Sequence, residues 1–294
     1  MEEIVYLNGE LVPWSQAKVS VYDQGFLYGY ALFETMRAYN GKIFLLERHL
    51  DRLRSSAGVI GFSPELAGID LRQACRDTLG ANNVRDARLR LTVSNGEVDS
   101  GHWTEIGSAP TVVVTARNYI PLAVEVYETG YKAGVASMRR CSQSPICRMK
   151  SANYLHSLLA RREAGKYGLD EALLLNERGL VAEGSVSNVF FVRDSVLVTP
   201  SPESGILPGI TRGVVMEIAG GLGIKVTEGE VRLSDLEQFD EAFLTNSVIE
   251  LMPLVEVRDG AGKMAEIGSG KPGAVTRKMM AAYRETVARE TSGE

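Results

Sequence analysis

The sequence predicts a protein of mixed strands and helices, of the α+β or mixed α/β class, built as two domains. Three observations carry that prediction. Apolar runs of strand length are bounded by Asn-Gly and similar turn signals, and stripes at helical spacing stand between them. The stretch RNYIPLAVEVYETG, punctuated by Pro121, reads as a crossing between domains. The 294 residues are enough for two modest domains or one large one, each with a proper core. We place the boundary near residue 120, which gives domains 1–120 and 121–294.

Taken in order, Ile4 to Leu7 turns at Asn8-Gly9 into a return strand, a hairpin signal with a known turn chemistry. A strand follows from about Ala31 to Tyr39, then a second Asn-Gly turn at Asn40-Gly41 and a helix from about Leu45. In that helix Leu46, His49, Leu50 and Leu53 share one face, while Arg48 and Arg52 line a neighbouring one. A helix is expected from Pro64 to about Leu79, and a strand from Ala87 to Val93. There Arg88, Arg90 and Thr92 alternate with aliphatics, so the two arginines either bind an anion or form the exposed face of an edge strand. A strand is also expected over Pro110 to Ala116, and Lys132 to Met138 leads towards Lys150 through a loop over Cys141 to Pro145. The tail GAGKMAEIGSGKPG reads as a hairpin and loop before a terminal helix from about Ala274 to Arg289. It is not a P-loop, because Lys271 is followed by proline.

Composition excludes several classes. A formal charge of -5 argues against a nucleic-acid partner, and no apolar run approaches a membrane span. The acidic N-terminus MEEIVYLNGE enters a hairpin directly, so neither a signal nor a transit peptide is expected, and a cytoplasmic location follows as the default. Cys75, Cys141 and Cys147 are too few for a disulfide framework or a structural zinc site, and His49, His102 and His156 lack metal-ligand spacing. No G-x-S-x-G elbow supports a serine hydrolase.

The chain is organised around RMKSANYLHSLLARREAGKYGLDEALLLNERGLVAEGSVSNVFF, from Arg148 to Phe191. Tyr154, Leu155, Leu158 and Leu159 form a stripe that reads as the core face of a helix with Lys150 at its head. Lysines at such places are commonly solvated. One partly desolvated there, near the positive end of a helix dipole, would have a lowered pKa and a nucleophilic amine. Strands follow at Glu171 to Leu175, Leu180 to Glu183 and Asn188 to Phe191. Glu183 ends an apolar strand, where a carboxylate needs a cation or a protonated ring nitrogen as partner. Downstream, Gly205 to Thr211 is a glycine-rich turn onto a helix ending near Gly220-Gly221, and such a turn offers backbone N–H groups to a phosphate. Phe243 to Val248 is a strand followed by small hydrogen-bonding residues.

The ordered patterns K-S-x-N-Y-L, D-E-A-L-L-L-N and E-G-S-x-S-N-x-F-F, with R-H-L-x-R-L at Arg48 and G-I-L-P-G-I-T-R at Gly205, resemble the fold type IV enzymes dependent on pyridoxal 5'-phosphate. That family includes branched-chain aminotransferases, D-amino acid aminotransferases and aminodeoxychorismate lyase, and the match runs over nearly the whole chain. The resemblance implies a small α/β N-terminal domain and a larger β-rich, pseudo-barrel C-terminal domain, with the cofactor in the cleft between them. It makes Lys150 the Schiff-base lysine and the catalytic acid and base, and Glu183 the partner of the pyridine nitrogen. Tyr154 would hydrogen-bond the ring hydroxyl, and Leu207 would lie against the ring. Arg52, Gly209, Ile210, Thr211 and Ser247 would hold the phosphate, with Ser187, Asn188 and Asn246 also at the cofactor. No metal is implied.

The substrate is read from Tyr28, Phe33, Arg90 and Val248, which the resemblance places at the substrate pocket. Arg90 aligns with an arginine that some branched-chain enzymes use for the distal carboxylate of glutamate. Asn95 stands before Gly96, where the D-amino acid branch tends to carry arginine. Phe33-Glu34-Thr35 looks more like the lyase and D-amino acid branches, and Thr245-Asn246-Ser247 looks more like the lyase. The expectation is therefore transfer of the amino group of a branched-chain or large neutral L-amino acid to 2-oxoglutarate by a ping-pong route. Aminodeoxychorismate lyase and D-amino acid transfer are the alternatives. Amino acid and 2-oxo acid substrates, no nucleic acid, no membrane and a homodimer are the partners implied.

Overall fold

The computed structural model describes residues 2–62, 66–98, 106–107, 109–260 and 262–292. The expected positions Pro64 and His102 lie outside the described residues. The chain divides into two units: Met1–Ile120 with Met149–Asn153 and Val287–Glu294, and Pro121–Arg148 with Tyr154–Thr286. A single cut near residue 120 therefore differs from the observed division at two short segments, one of which carries Lys150.

The first unit is an antiparallel sheet of β1 (Ile4–Leu7), β2 (Glu10–Pro13), β3 (Ala31–Tyr39), β4 (Lys42–Ile43), β5 (Ala87–Ser94) and β6 (Thr111–Asn118), in the order β2-β1-β6-β5-β3-β4. Both Asn-Gly turns adopt positive φ at each residue, 48° and 103° at Asn8-Gly9 and 53° and 83° at Asn40-Gly41, the geometry that matches strand twist. Period-two alternation in β5 and β6 buries Leu89, Leu91, Val112 and Val114, and these pack with Leu32 and Met36 of β3, a strand buried on both faces, and with Leu50 and Leu53 of α2 (Leu46–Ile60). The unit also contains α1 (Gln24–Tyr28), which is too short for a periodicity signal and is started by Asp23 capping the N–H groups of Gly25 and Phe26. The helix expected from Pro64 is α3 (Leu71–Ala81). It begins at Leu71 because Asp70 accepts the N–H of Gln73 as its N-cap. Strand β5 is flanked on both sides, so Arg88 and Arg90 do not lie on an edge strand.

The second unit is a mixed nine-stranded sheet. Its strands are β7 (Tyr131–Arg140), β8 (Glu171–Asn176), β9 (Val181–Gly184), β10 (Asn188–Arg193), β11 (Val196–Pro200), β12 (Val226–Gly229), β13 (Glu241–Asn246), β14 (Glu250–Arg258) and β15 (Met264–Glu266). The order is β12-β11-β10-β13-β14-β7-β8-β9, with β15 on β14. The pairs β7/β8, β7/β14 and β11/β12 are parallel. Strand β8 is buried at every position, which accounts for its unbroken apolar run. The helices are α4 (Val124–Thr129), α5 (Leu155–Gly165), α6 (Ile210–Gly221) and α7 (Ala274–Thr291).

The expected core stripe of α5 is not its buried face. Leu155, Leu158 and Leu159 are 66%, 55% and 43% exposed, whereas Ser157, Ala160 and Ala164 are buried. Ala160 and Ala164 pack with Ala136, Leu169, Ala172 and Leu174. Small residues let the helix lie close to β7 and β8, and this close approach turns the leucines outward.

Candidate active site

Lys150 is not at a helix head, since α5 begins five residues later at Leu155. Its backbone runs extended beside β3: Phe33 N–H donates to Lys150 C=O at 2.8 Å, and Ala152 N–H to Ala31 C=O at 2.8 Å. A bridge joins Leu32 and Ser151. The helix-dipole argument for a nucleophilic amine at Lys150 therefore lapses. A fixed position on a sheet replaces it. The Nζ of Lys150 lies 4.7 Å from the ring centroid of Phe33, and the Arg90 guanidinium lies 3.8 Å from the same centroid. The predicted residues Lys150, Phe33 and Arg90 thus share one aromatic ring. Tyr28 ends α1 and is exposed, with Gly29 at φ 68° closing the helix.

Glu34, adjacent to Phe33, points to the other side of the strand and meets α2. Its Oε1 accepts from Arg52 Nε at 2.8 Å, and its Oε2 from Arg52 Nη2 at 2.6 Å. His49 Nδ1 is 2.7 Å from the same Oε2. Burial opposes ionisation of Glu34, but the Arg52 charge and hydrogen bonds from His49 and Arg52 outweigh it and bring the carboxyl down to about 2. An ionised carboxylate only accepts, so His49 carries its proton on Nδ1. Burial, above all, holds the imidazole below its ordinary range. Sequence reasoning singled out Arg52 but not Glu34, although an acid in the middle of a buried strand is itself a signal.

In the second unit, Glu183, Asn188 and Leu207 come together. Glu183 Oε2 accepts from Leu207 N–H at 2.9 Å and from Asn188 Nδ2 at 3.2 Å, and Asn188 Nδ2 also donates to Leu207 C=O at 2.8 Å. The cation that Glu183 required is Arg140, whose Nη1 is 2.9 Å from Oε1. Sequence reasoning missed it; the only hint was a second arginine closing a strand, MRR. Ser187 donates to buried Glu171 at 3.1 Å, and Ser185 donates to the same carboxylate. The serines of E-G-S-V-S-N thus hold their own turn together.

Helix α6 opens at Gly209, Ile210 and Thr211 with no side-chain cap, so its first N–H groups are presented for an anion. A side chain at position 209 would collide with Asn188 Oδ1, which explains the glycine. Asn246 Oδ1 accepts from the N–H groups of Val248 and Ile249 at 2.8 and 2.9 Å, shaping the turn that holds Ser247 and Val248. Beside it, Thr245 Oγ1 is buried without a hydrogen-bond partner. Tyr154 is half-buried at the start of α5. Among the described residues there is no group of three or more His, Cys, Asp or Glu that could hold a metal, and no helix is long and apolar enough to cross a membrane.

Comparison with known proteins supplies the family. A profile described as amino-transferase class IV matches residues 31–257. A Salmonella typhimurium branched-chain-amino-acid aminotransferase is 34% identical over 288 residues, covering 96% of this chain and 92% of that one. The Bacillus subtilis aminodeoxychorismate lyase is 34% identical over 258 residues, 87% of each chain. Among solved structures, the Escherichia coli branched-chain amino acid aminotransferase superposes with a TM-score of 0.89 at 32% identity, covering 100% of this chain and 97% of that one. Another solved branched-chain amino acid aminotransferase, with pyridoxamine 5'-phosphate, superposes with a TM-score of 0.88 at the same identity. The fold is the mixed strand and helix architecture expected of fold type IV, and the chain belongs to the class IV aminotransferases.

Proposed function

We propose that this enzyme uses pyridoxal 5'-phosphate to move the amino group of a branched-chain or large neutral L-amino acid to 2-oxoglutarate, as a cytoplasmic homodimer. The observation that carries the substrate reading is the shared ring of Phe33: a carboxylate-binding guanidinium, Arg90, stands over the same ring as the Lys150 amine. An arginine there suits the distal carboxylate of the oxo acid, because a planar fork can hold a carboxylate bidentately.

The residues present fit the cofactor. Uncapped N–H groups at Ile210 and Thr211 suit a phosphate, with Ser247 and Arg52 as further donors. Thr245 Oγ1, a buried hydroxyl without a partner, lies next to the Asn246 turn. Glu183 offers a fixed buried carboxylate for the ring nitrogen. When bound, pyridoxal phosphate supplies the electron sink that stabilises negative charge at the substrate Cα. Lys150 would hold the cofactor through its amine and would serve as general base and acid at the substrate Cα. Tyr154 would donate to the ring hydroxyl, and Tyr28 and Val248 would shape the substrate side. The three outward leucines of α5 form an apolar face suited to a second copy of the chain.

Phe33-Glu34-Thr35 and the likeness to the Bacillus subtilis lyase favour a second reading, release of pyruvate from aminodeoxychorismate by the same Lys150. The two are separated by supplying L- and D-amino acids with 2-oxoglutarate, and aminodeoxychorismate in parallel. Glutamate formation from L-leucine, L-isoleucine or L-valine is the expected result. Pyruvate release from aminodeoxychorismate without amino transfer would overturn it.

A further inference from the structure

Arg140 ends β7 and sends its guanidinium to three stretches of the second unit. Nη1 meets Glu183 Oε1 at 2.9 Å, Nε donates to Gly205 C=O at 2.8 Å and Nη2 to Cys147 C=O at 2.9 Å. The two side chains are only 12% and 8% exposed. Two backbone carbonyls on separate loops fix the plane of the fork, so the carboxylate meets a cation whose position is already set. On its other side Glu183 accepts from Leu207 N–H and Asn188. The carboxylate is therefore held on both oxygens, in one orientation.

Taking a carboxylate out of water is costly, and the group neutralises by taking up a proton unless charge and N–H donors offset that cost. A protonated Glu183 would donate a hydrogen bond where a protonated ring nitrogen needs an acceptor. We propose that Arg140 is the positioning residue that keeps Glu183 an ionised, fixed acceptor, so that the proton between Glu183 and the cofactor ring resides on the nitrogen. This rests on the reading of Glu183 as the ring-nitrogen partner. Arg140 touches no reacting atom; it acts through Glu183, and through Gly205 it also ties the same carboxylate to the turn that opens α6.

The test measures how strongly the apoenzyme prefers a ring nitrogen. Dissociation constants are determined by equilibrium dialysis for pyridoxal 5'-phosphate and for its 1-deaza analogue, which has C–H in place of the ring nitrogen and keeps the phosphate and aldehyde. The wild type is expected to favour the nitrogen-bearing form by about tenfold or more, corresponding to about 1.4 kcal/mol per factor of ten. Glu183→Gln and Arg140→Met should both bring the ratio close to one, and Arg140→Lys, which keeps the charge, should restore part of it. Arg140→Gln keeps an N–H donor for the carbonyls, so it carries the comparison if Arg140→Met does not fold, and it too should lose the preference. A purely structural arginine would weaken both ligands equally and leave the wild-type ratio in Arg140→Met or Arg140→Gln, which overturns the proposal alone. A wild-type ratio of one, unchanged in Glu183→Gln, overturns the reading of Glu183 as well.

Discussion

Replacing Glu34 by glutamine tests whether the buried Glu34, His49 and Arg52 group is an ion pair that stabilises the first unit. The Glu34 carboxyl falls from 4.5 to about 2 on folding. At about 1.4 kcal/mol per unit, this corresponds to roughly 3 kcal/mol of stability at neutral pH. The folded-state pKa is depressed, so the contribution is fully present above about 4.5 and is lost as pH falls towards 2. His49 acts in the same direction: burial lowers its pKa, so protonation favours the unfolded chain below 6.5. In a chain of this size roughly 2 °C of Tm accompanies each kcal/mol. Glu34→Gln should therefore melt about 6 °C below the wild type at pH 7 by calorimetry. The gap should hold down to about pH 5 and narrow through pH 4 and 3 as the wild type itself loses the pair. A gap of constant size from pH 7 to pH 3, or a variant as stable as the wild type at pH 7, would refute the reasoning.

Two further outcomes concern substrate and assembly. Arg90→Met should raise KM for 2-oxoglutarate about tenfold or more, in line with roughly 1.5–3 kcal/mol for a hydrogen bond to a charged group, while the half-reaction with L-leucine stays within about twofold. Equal losses in both half-reactions, measured by single-turnover absorbance, would remove Arg90 from the distal carboxylate. Leu158→Asp places a charge on the outward face of α5 without touching the core, so light scattering should report half the wild-type mass with an unchanged circular dichroism spectrum; an intact dimer would dismiss that face as the interface.

Much of the fold was legible because local chemistry and tertiary packing agreed. The Asn-Gly pairs demand positive φ at two successive residues, a conformation few other dipeptides tolerate, and both turns formed where they were read. The buried face of α2 followed from periodicity, with Leu46, His49, Leu50 and Leu53 buried as their spacing implied. Helix α5 failed that test. Its leucines are the stronger apolar signal, but alanines and a serine permit a closer approach to the sheet, so the weaker stripe became the buried one. Periodicity identifies faces, and the partner surface decides between them. The short helices α1 and α4 each span less than two turns and left no stripe to read.

The site was legible as a set of residue types and illegible as a set of partners. Desolvation makes an acid in an apolar strand conspicuous, and it demanded that Glu183 meet either a cation or a ring nitrogen. Only folding names the cation, because Arg140 lies on a different strand and is aimed by carbonyls of two loops. The two candidate partners are compatible rather than exclusive: a carboxylate whose charge is already fixed by a cation remains an acceptor when a second positive group approaches. Glu34 follows the same logic towards Arg52, whose guanidinium is oriented by a buried carboxylate. In each unit, then, a charged group proposed to meet the cofactor is backed by an opposite charge that sequence reasoning did not assign, and these backing residues, Arg140 and Glu34, are where substitutions should separate positioning from contact.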